Sequence, residues 1–231
     1  MPRIIALVAS LALVCATAPA SAANGPDAKD NPRTQDFAIG PDSLTMPVPD
    51  GYCVPSGKLI GLAQATAAAD TTNVTLATFL ACGREGVNPF QDYVLLKVPV
   101  TALMVKIDKA SALDQLEAAM TGPNAPKFDA AMEQRVEGSI GKVIGRKTNV
   151  QTNYGYMGRD GDCLYMGGRI QLSVENSAVT PNGANVACLT VAANKILTVY
   201  TYDFTPGFNF DVLKTRARAI ALTIGAAPEA K

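Results

Sequence analysis

The chain has 231 residues, with 20 lysine and arginine residues balanced by 20 aspartate and glutamate residues, and it contains neither histidine nor tryptophan. A neutral chain lacks the excess positive charge expected of a protein that binds nucleic acid or an anionic membrane. The absence of histidine removes the commonest general base, the Ser-His and Cys-His nucleophile pairs and the commonest zinc ligand. The composition therefore predicts a protein without a nucleic-acid partner and without a cofactor.

Residues 1–22 have the pattern of a cleavable secretory signal peptide. Arg3 precedes an apolar run over residues 4–16, and Ala20-Ser21-Ala22 matches the A-x-A site at which such peptides are cleaved. The run is too short for a transmembrane helix, which needs about 20 residues, and no other long apolar run follows it. We therefore expect cleavage after Ala22, no transmembrane segment in the mature chain, and a periplasmic or secreted location.

Polar ends flank one patterned region. Residues 23–36 contain two prolines and no apolar periodicity, which predicts a disordered lead-in, and residues 226–231 form a short tail. Between them, residues 37–225 mix strand and helix patterns. This mixture predicts a single α+β domain.

The first part of the domain alternates short strands with helices. Strands are predicted at 37–39, 44–48, 73–82 and 92–100, and helices at 57–70, 111–121 and 127–143. Ser111 and Asp114 have the spacing of a capping box at the start of the second helix, and Gly122-Pro123 ends that helix. The third helix is indicated by apolar residues four apart, namely Phe128, Met132, Val136 and Ile140.

The last third is richer in strands. Apolar and polar residues alternate from Leu164 to Val174, which predicts a half-buried strand. The segment "ANVACLTVAANKILTVYTYDF" predicts a hairpin that turns at Asn194-Lys195. A closing helix is indicated by apolar residues that share one face, namely Leu213, Ala217, Ile220 and Ile224.

The predicted mature chain has four cysteines, an even number that indicates two disulfides in an exported protein. Four cysteines allow three pairings. We favour Cys53 with Cys82 and Cys163 with Cys188, because each half of the chain then closes its own loop. In the loop-entropy interpretation each bridge stabilises the fold by roughly 3 to 4 kcal/mol.

The two halves share a short pattern. Asp50-Gly51-Tyr52-Cys53 and Asp160-Gly161-Asp162-Cys163 both read D-G-x-C, and an Asn-Val strand, a further strand and an amphipathic helix follow each of them. The pattern indicates a possible internal duplication that relates residues 37–121 to residues 149–225. Coincidence among ordinary turn residues is the alternative.

The second D-G-x-C lies in the stretch "RDGDCLYMGGRIQL", residues 159–172. Its closely spaced Asp160 and Asp162 are of the residue type that ligates calcium in a calcium loop. A calcium loop of that kind needs glycine at its sixth position and a bidentate acid at its twelfth. Counting from Asp160, these positions hold Tyr165 and Gln171. The stretch therefore predicts a tight Asp-Gly turn that leads into a strand.

Ser139 and Lys142 form the S-x-x-K pattern of serine acylating enzymes. The companion motifs S-D-N and K-T-G of those enzymes are missing from the sequence. A serine and a lysine at this spacing also arise by chance. The pair therefore supports only a serine-lysine hydrolase hypothesis that ranks below a binding function.

Tyrosines are concentrated in the second half, at positions 154, 156, 165, 200 and 202. Tyr154, Tyr156, Tyr165, Tyr200 and Tyr202 could form a binding platform on the sheet. The alternative is cross-strand aromatic packing, which strands favour. Packing is the interpretation that we favour.

The two ends of the domain resemble the PsbP/Mog1-like fold, which includes exported bacterial members. The resemblance rests on the entry "FAIGPDSLTMPVPDGYC" and on the exit "KILTVYTYDF" followed by "FDVLKTRARAIALTIG". It implies an α/β/α sandwich, with an antiparallel sheet flanked by helices, that serves binding and assembly. It carries over no functional residue.

Three hypotheses of function follow. The first is a non-catalytic binding or assembly module whose partner is another periplasmic or envelope protein. The second is a carrier for a small apolar ligand between sheet and helices. The third is a serine-lysine or carboxylate hydrolase, and the missing histidine makes it the least favoured.

Overall fold

The architecture comes from a computed structural model that describes residues 32–84, 90–123, 125, 147–177 and 180–228. Several predicted features lie outside the described residues: the signal peptide, the lead-in over 23–31, the helix over 127–143 with Ser139 and Lys142, and residues 229–231. The described part contains the four cysteines of the predicted mature chain and all five candidate tyrosines.

The described part of the chain forms eleven strands and three α-helices. The strands are β1 (Thr34–Ile39), β2 (Asp42–Pro47), β3 (Tyr52–Cys53), β4 (Asn73–Ala81), β5 (Asp92–Pro99), β6 (Thr148–Thr152), β7 (Gly155–Arg159), β8 (Leu164–Val174), β9 (Asn182–Ala192), β10 (Lys195–Asp203) and β11 (Gly225–Ala226). The helices are α1 (Lys58–Ala69), α2 (Lys109–Thr121) and α3 (Phe210–Ala221). A short 3-10 helix covers Val100–Ala102. This mixture confirms the α+β prediction.

Eight strands form the main sheet, and all of their pairings are antiparallel. The order is β3-β4-β5-β10-β9-β8-β6, and β7 also pairs with β8. Two meanders, β3-β4-β5 and β8-β9-β10, meet at the pair of β5 with β10, where Tyr200 lies opposite Leu95. Residues from both halves of the sequence therefore lie side by side at the centre of the sheet.

Helix α3 covers one face of the main sheet. Its buried residues Leu213, Ala217 and Ile220 share a core with Phe79 of β4 and Val199 of β10. Burying a leucine or isoleucine side chain stabilises a fold by about 1.5 to 3 kcal/mol. The predicted apolar face of the closing helix is thus the face that builds the larger core.

Helix α2 contributes to a second core, in which Leu113 packs with Tyr154, Leu164 and Met166. In β8, Leu164 and Met166 of this core alternate with Tyr165 of the α3 core, so the two cores lie on opposite faces of the sheet. The α/β/α sandwich implied by the resemblance is therefore present, with α2 and α3 as its outer layers.

The start of α2 differs from the prediction. Asp108 is the N-cap, and its side chain accepts a hydrogen bond from the backbone N–H of Ser111 at 2.9 Å. The predicted capping box of Ser111 with Asp114 begins three residues too late. Because aspartate caps helices as well as serine does, spacing alone could not choose between the two starts.

A small sheet packs beside α3 on the same core. It has the order β1-β2-β11, and Ile39, Leu44 and Met46 join the α3 core. The strand β1 begins at Thr34, three residues before the predicted strand, because Thr34 pairs with Pro47. The start of the predicted tail is also ordered, since Ala226 pairs with Leu44.

The turn between β9 and β10 lies one residue earlier than predicted. Ala193 and Asn194 both have positive φ, at 47° and 62°, as the two central residues of a type I′ hairpin require. Lys195 is consequently the first residue of β10 and is fully buried. Its Nζ donates to the Leu103 carbonyl at 2.9 Å and lies 3.1 Å from a carboxylate oxygen of Asp42.

Both predicted disulfides are present. Cys53 is bonded to Cys82, and Cys163 is bonded to Cys188. Cys53 lies in β3 and Cys82 directly after β4, whereas Cys163 lies directly before β8 and Cys188 in β9, which confirms the pairing of each half with itself. Among the described residues, no helix is long and apolar enough to cross a membrane.

Candidate binding groove

A groove of about 580 Å³ opens between the first edge of the main sheet and α3. The segment that joins β2 to β3 forms one wall, and the second half of α3 forms the other. The lining residues are Pro47, Val48, Pro49, Asp50, Gly51, Tyr52, Ala81, Asp92, Arg216, Ala219, Ile220 and Thr223. Most of these residues are apolar or small, and the charged groups are few.

A tight turn shapes the first wall of the groove. The backbone N–H of Tyr52 donates to the Pro49 carbonyl at 3.0 Å, and Gly51 has a φ of 80°. A turn with positive φ at its third residue favours glycine there. The Gly51 carbonyl accepts a hydrogen bond from the backbone N–H of Cys82 at 2.9 Å, so the turn is also tied to the end of β4.

The Cys53–Cys82 disulfide fixes the same wall covalently. Its two cysteines directly follow the groove residues Tyr52 and Ala81. The short strand β3 has only two residue pairs with β4, Tyr52 with Ala81 and Cys53 with Leu80. The shape of the groove therefore depends on the disulfide as well as on the strand pairing.

Three polar side chains meet inside the groove. The Tyr52 hydroxyl donates to Oδ1 of Asp92 at 2.6 Å, and Nη1 of Arg216 donates to the same oxygen at 2.8 Å and to the Tyr52 hydroxyl oxygen. The guanidinium of Arg216 also lies 5.6 Å from the centroid of the Tyr52 ring. We call these three residues the groove cluster.

Hydrogen bonds among its three side chains fix the geometry of the groove cluster. Burial, together with the hydrogen bond to Asp92, raises the pKa of Tyr52 well above its ordinary value of 10. The phenol therefore stays protonated at neutral pH and continues to donate. Arg216 and Asp92 form an ion pair, so the cluster presents polar atoms that mutual hydrogen bonds hold in place.

The solvent side of α3 beside the groove carries exposed apolar residues. Val212 is 53% exposed and Leu222 is 48% exposed, and exposed Ala219 lies two helical turns after Val212 on the same side, with Thr215 and Arg216 between them. Single exposed apolar residues are ordinary on a protein surface. Of these three apolar residues, Ala219 is the one that lines the groove.

The acidic part of the stretch at residues 159–172 is a turn that leads into a strand, as predicted: residues 160–163 join β7 to β8. Oδ1 of Asp160 accepts from the backbone N–H groups of Asp162 and Cys163, both at 2.8 Å. Oδ2 of Asp160 accepts from the Tyr165 hydroxyl at 2.6 Å, and Arg218 of α3 pairs with Asp160 and Asp162. The acids of this stretch thus connect the turn to α3.

The candidate tyrosines separate onto two faces of the sheet. Tyr154, Tyr156 and Tyr200 pack in or against the α2 core, and Tyr202 stacks on Tyr93 with ring centroids 4.3 Å apart. These contacts are aromatic packing across strands. A binding role for these tyrosines stays a prediction.

Tyr165 lies on the other face, in the α3 core, with the Lys214 Nζ 4.3 Å from its ring centroid. The sequence alternation of β8 already separates Tyr165 from its neighbours Leu164 and Met166. Tyr165 therefore cannot belong to one platform with Tyr200.

The groove cluster was not among the predicted sites. Tyr52 and Arg216 are separated by 164 positions in the sequence, and Tyr52 and Asp92 by 40. Of the three residues, only Tyr52 lies in a pattern that the sequence shows, the D-G-x-C turn over residues 50–53. In the described residues, no group of three or more histidine, cysteine, aspartate or glutamate side chains could hold a metal ion.

The fold has distant likenesses among solved structures. No protein-family profile and no curated protein matches the chain significantly. The solution structure of cyanobacterial PsbP (CyanoP) from Synechocystis sp. PCC 6803 matches 84% of this chain and 93% of its own, with 11% sequence identity and a TM-score of 0.39. The chain thus has a weak likeness to PsbP, too distant to transfer a function or a partner.

Proposed function

We propose that this chain is an exported bacterial protein that binds another periplasmic or envelope protein through the groove, without catalysis. The observation that carries the proposal is the groove itself. Its walls are largely apolar, and mutual hydrogen bonds hold the polar side chains of the groove cluster in place. Binding sites commonly combine apolar walls with a few fixed polar groups that set orientation.

The chemistry of the groove favours binding over catalysis. A general base needs a pKa near the working pH and an unoccupied lone pair. The Tyr52 hydroxyl is protonated, and the Asp92 oxygen nearest to it already accepts two hydrogen bonds. The nearby sulfur atoms of Cys53 and Cys82 are oxidised to a disulfide.

The shape of the site favours a polypeptide segment over a small ligand. The groove is open to solvent, and Ala219 on its α3 wall is exposed. A small apolar ligand is held best in an enclosed cavity that buries most of its surface. An extended segment of a partner can lie along both walls of the groove.

Site-specific photo-crosslinking tests this proposal. Ala219, in the groove, and Glu175, exposed after β8, are each replaced by p-benzoylphenylalanine in the otherwise unchanged chain. We expect irradiation with the exported protein fraction of the source bacterium to give one defined polypeptide adduct at position 219 and none at 175. Unlabelled protein should compete for this adduct, whereas a Thr223→Trp variant, whose groove is filled, should not.

Two outcomes would overturn the proposal. Equal labelling at positions 219 and 175 would show that the groove is not selective. Equal competition by the wild-type protein and Thr223→Trp would place the interaction elsewhere. Detection of a bound small molecule by native mass spectrometry, lost in Thr223→Trp, would instead establish the ligand carrier.

A further inference from the structure

We infer that the partner segment carries a lysine or arginine flanked by aliphatic residues, and that Asp50 at the mouth of the groove pairs with this basic residue. The inference rests on the proposed function of the groove. It adds the chemical identity of the segment that the groove accepts.

The charges that line the groove do not cancel. Asp50, Asp92 and Arg216 are the charged lining residues, two negative and one positive, which leaves a net charge of −1. Arg216 and Asp92 form an ion pair at 2.8 Å. Within the described part of the chain, the Asp50 carboxylate makes neither an ion pair nor a hydrogen bond, so the uncompensated charge lies on Asp50.

The backbone presents Asp50 to solvent at the point where a segment would enter. Asp50 is the second residue of the turn from Pro49 to Tyr52 and is exposed. The hydrogen bonds of this turn and the Cys53–Cys82 disulfide hold it in place. A carboxylate on a fixed turn loses little conformational freedom when it pairs with a cation.

The balance of charge in the lining sets the sign of the ligand. With Arg216 paired to Asp92, the groove keeps one net negative charge, on Asp50. An incoming cation is therefore favoured, and an incoming carboxylate is repelled.

The walls on both sides define the neighbours of the basic residue. Pro47 and Pro49 form the wall next to Asp50, and Ala219 and Ile220 form the wall on α3. These surfaces bury aliphatic side chains, and they also suit the methylene stem of a lysine whose ammonium reaches the carboxylate. In a segment with the order aliphatic-basic-aliphatic, the aliphatic side chains pack against the two walls and the basic side chain pairs with Asp50.

The test uses three blocked ten-residue peptides of alternating valine and alanine that differ at one central position, which is lysine, glutamine or glutamate. Their affinities for the full mature protein are measured by fluorescence anisotropy. An exposed ion pair is worth about 1.5- to 5-fold in affinity. We expect the lysine peptide to bind more tightly than the glutamine peptide by that factor, and the glutamate peptide to bind most weakly.

Two variants with the same change in net charge separate a local effect from a global one. Asp50→Lys should reverse the order, so that the glutamate peptide binds more tightly than the lysine peptide. Asp36→Lys, on exposed residue 36 of β1 outside the groove lining, should keep the wild-type order. Raising the salt to about 0.5 M should bring the wild-type affinities together, because exposed charges are screened.

The outcomes also separate this inference from the proposed function. If the three peptides bind the wild-type protein equally and Thr223→Trp abolishes all three, the groove binds segments but Asp50 does not select them. If Asp36→Lys and Asp50→Lys shift the order equally, net charge and not Asp50 is responsible. If none of the three peptides binds while the adduct at position 219 still forms, this inference is overturned and the proposed function stands.

Discussion

The two meanders of the main sheet have the same plan but are stabilised differently. In β8-β9-β10 the disulfide is fully buried, with Cys163 and Cys188 both 0% exposed, and α3 adds four buried residues. In β3-β4-β5 the disulfide lies at the sheet edge with Cys82 half-buried, and α1 has no buried residue. Both meanders supply buried core residues, such as Phe79 and Val199, but the edge of the first, where the groove lies, depends more on its disulfide and its polar links.

The largest expected effect comes from removing the buried disulfide. Loop entropy alone predicts a loss of about 3.5 kcal/mol for either disulfide, because the sequence separations are 25 and 29. Cys163→Ala with Cys188→Ala also leaves a cavity in the core, so we expect a loss of about 5 kcal/mol. Chemical denaturation without reductant gives the loss of unfolding free energy for this double variant and for Cys53→Ala with Cys82→Ala. Equal losses from the two double variants would contradict the comparison.

A pair of leucines tests the helices in the same way. Leu213 of α3 is fully buried, and Leu213→Ala should lower the free energy of unfolding by about 3 kcal/mol. Leu62 of α1 is only half-buried, and Leu62→Ala should cost less than about 1 kcal/mol. Thermal and urea unfolding of both variants give the values. A larger loss for Leu62→Ala would mean that α1 carries more of the core than its burial indicates.

The polar links of the first meander should respond to pH. Burial acts to raise the pKa of Asp70, but hydrogen bonds from Lys97, Asn73 and Thr72 prevail and lower it from 3.8 to about 2. Because the folded value is the lower one, this stabilisation is complete above pH 3.8 and is lost as the pH falls towards 2. Asp70→Asn should therefore cost roughly 2 kcal/mol at pH 7 and little at pH 2.

The control for this pH dependence is Asp36→Asn, which changes an exposed carboxyl and should have little effect at either pH. Urea denaturation at pH 7 and at pH 2 gives the difference between the variants. A cost for Asp70→Asn that does not change with pH would show that the ion pair with Lys97 is not its cause.

The smallest expected effect concerns the groove cluster. Tyr52→Phe removes the hydroxyl that donates to Asp92 and accepts from Arg216, and keeps the ring in place. We expect a loss of about 1 kcal/mol in unfolding free energy, because the ion pair of Arg216 with Asp92 remains. Urea denaturation provides the measurement. The matched control is Tyr156→Phe, the same substitution on the opposite face of the sheet, where it removes the hydrogen bond from the hydroxyl to Glu117.

Local patterns predicted most of the fold, and long-range contacts explain what they missed. The face of α3 follows from the periodicity of Leu213, Ala217 and Ile220, and the disulfide pairing follows from short loops. The polar strands β6 and β7 have no apolar alternation of their own. They are strands because they share the outer edge of β8, and a local pattern cannot show that contact.

The candidate site shows the same division. The turn at Asp50-Gly51 is visible in the sequence because its residue types fix its conformation. The groove is not visible, because it needs Asp92 from β5 and Arg216 from α3 next to Tyr52. A lone arginine in an amphipathic helix indicates an exposed face, and only the arrangement of the sheet shows what that arginine contacts.

The buried amine of Lys195 has a consequence for how the molecule opens. It links the start of β2, through Asp42, to the segment after β5, through the Leu103 carbonyl. Peeling the β1-β2 hairpin from the core would leave a cation in an apolar interior without its counter-ion, at a cost of several kcal/mol. We therefore expect this hairpin to open together with the rest of the core and not to fray on its own.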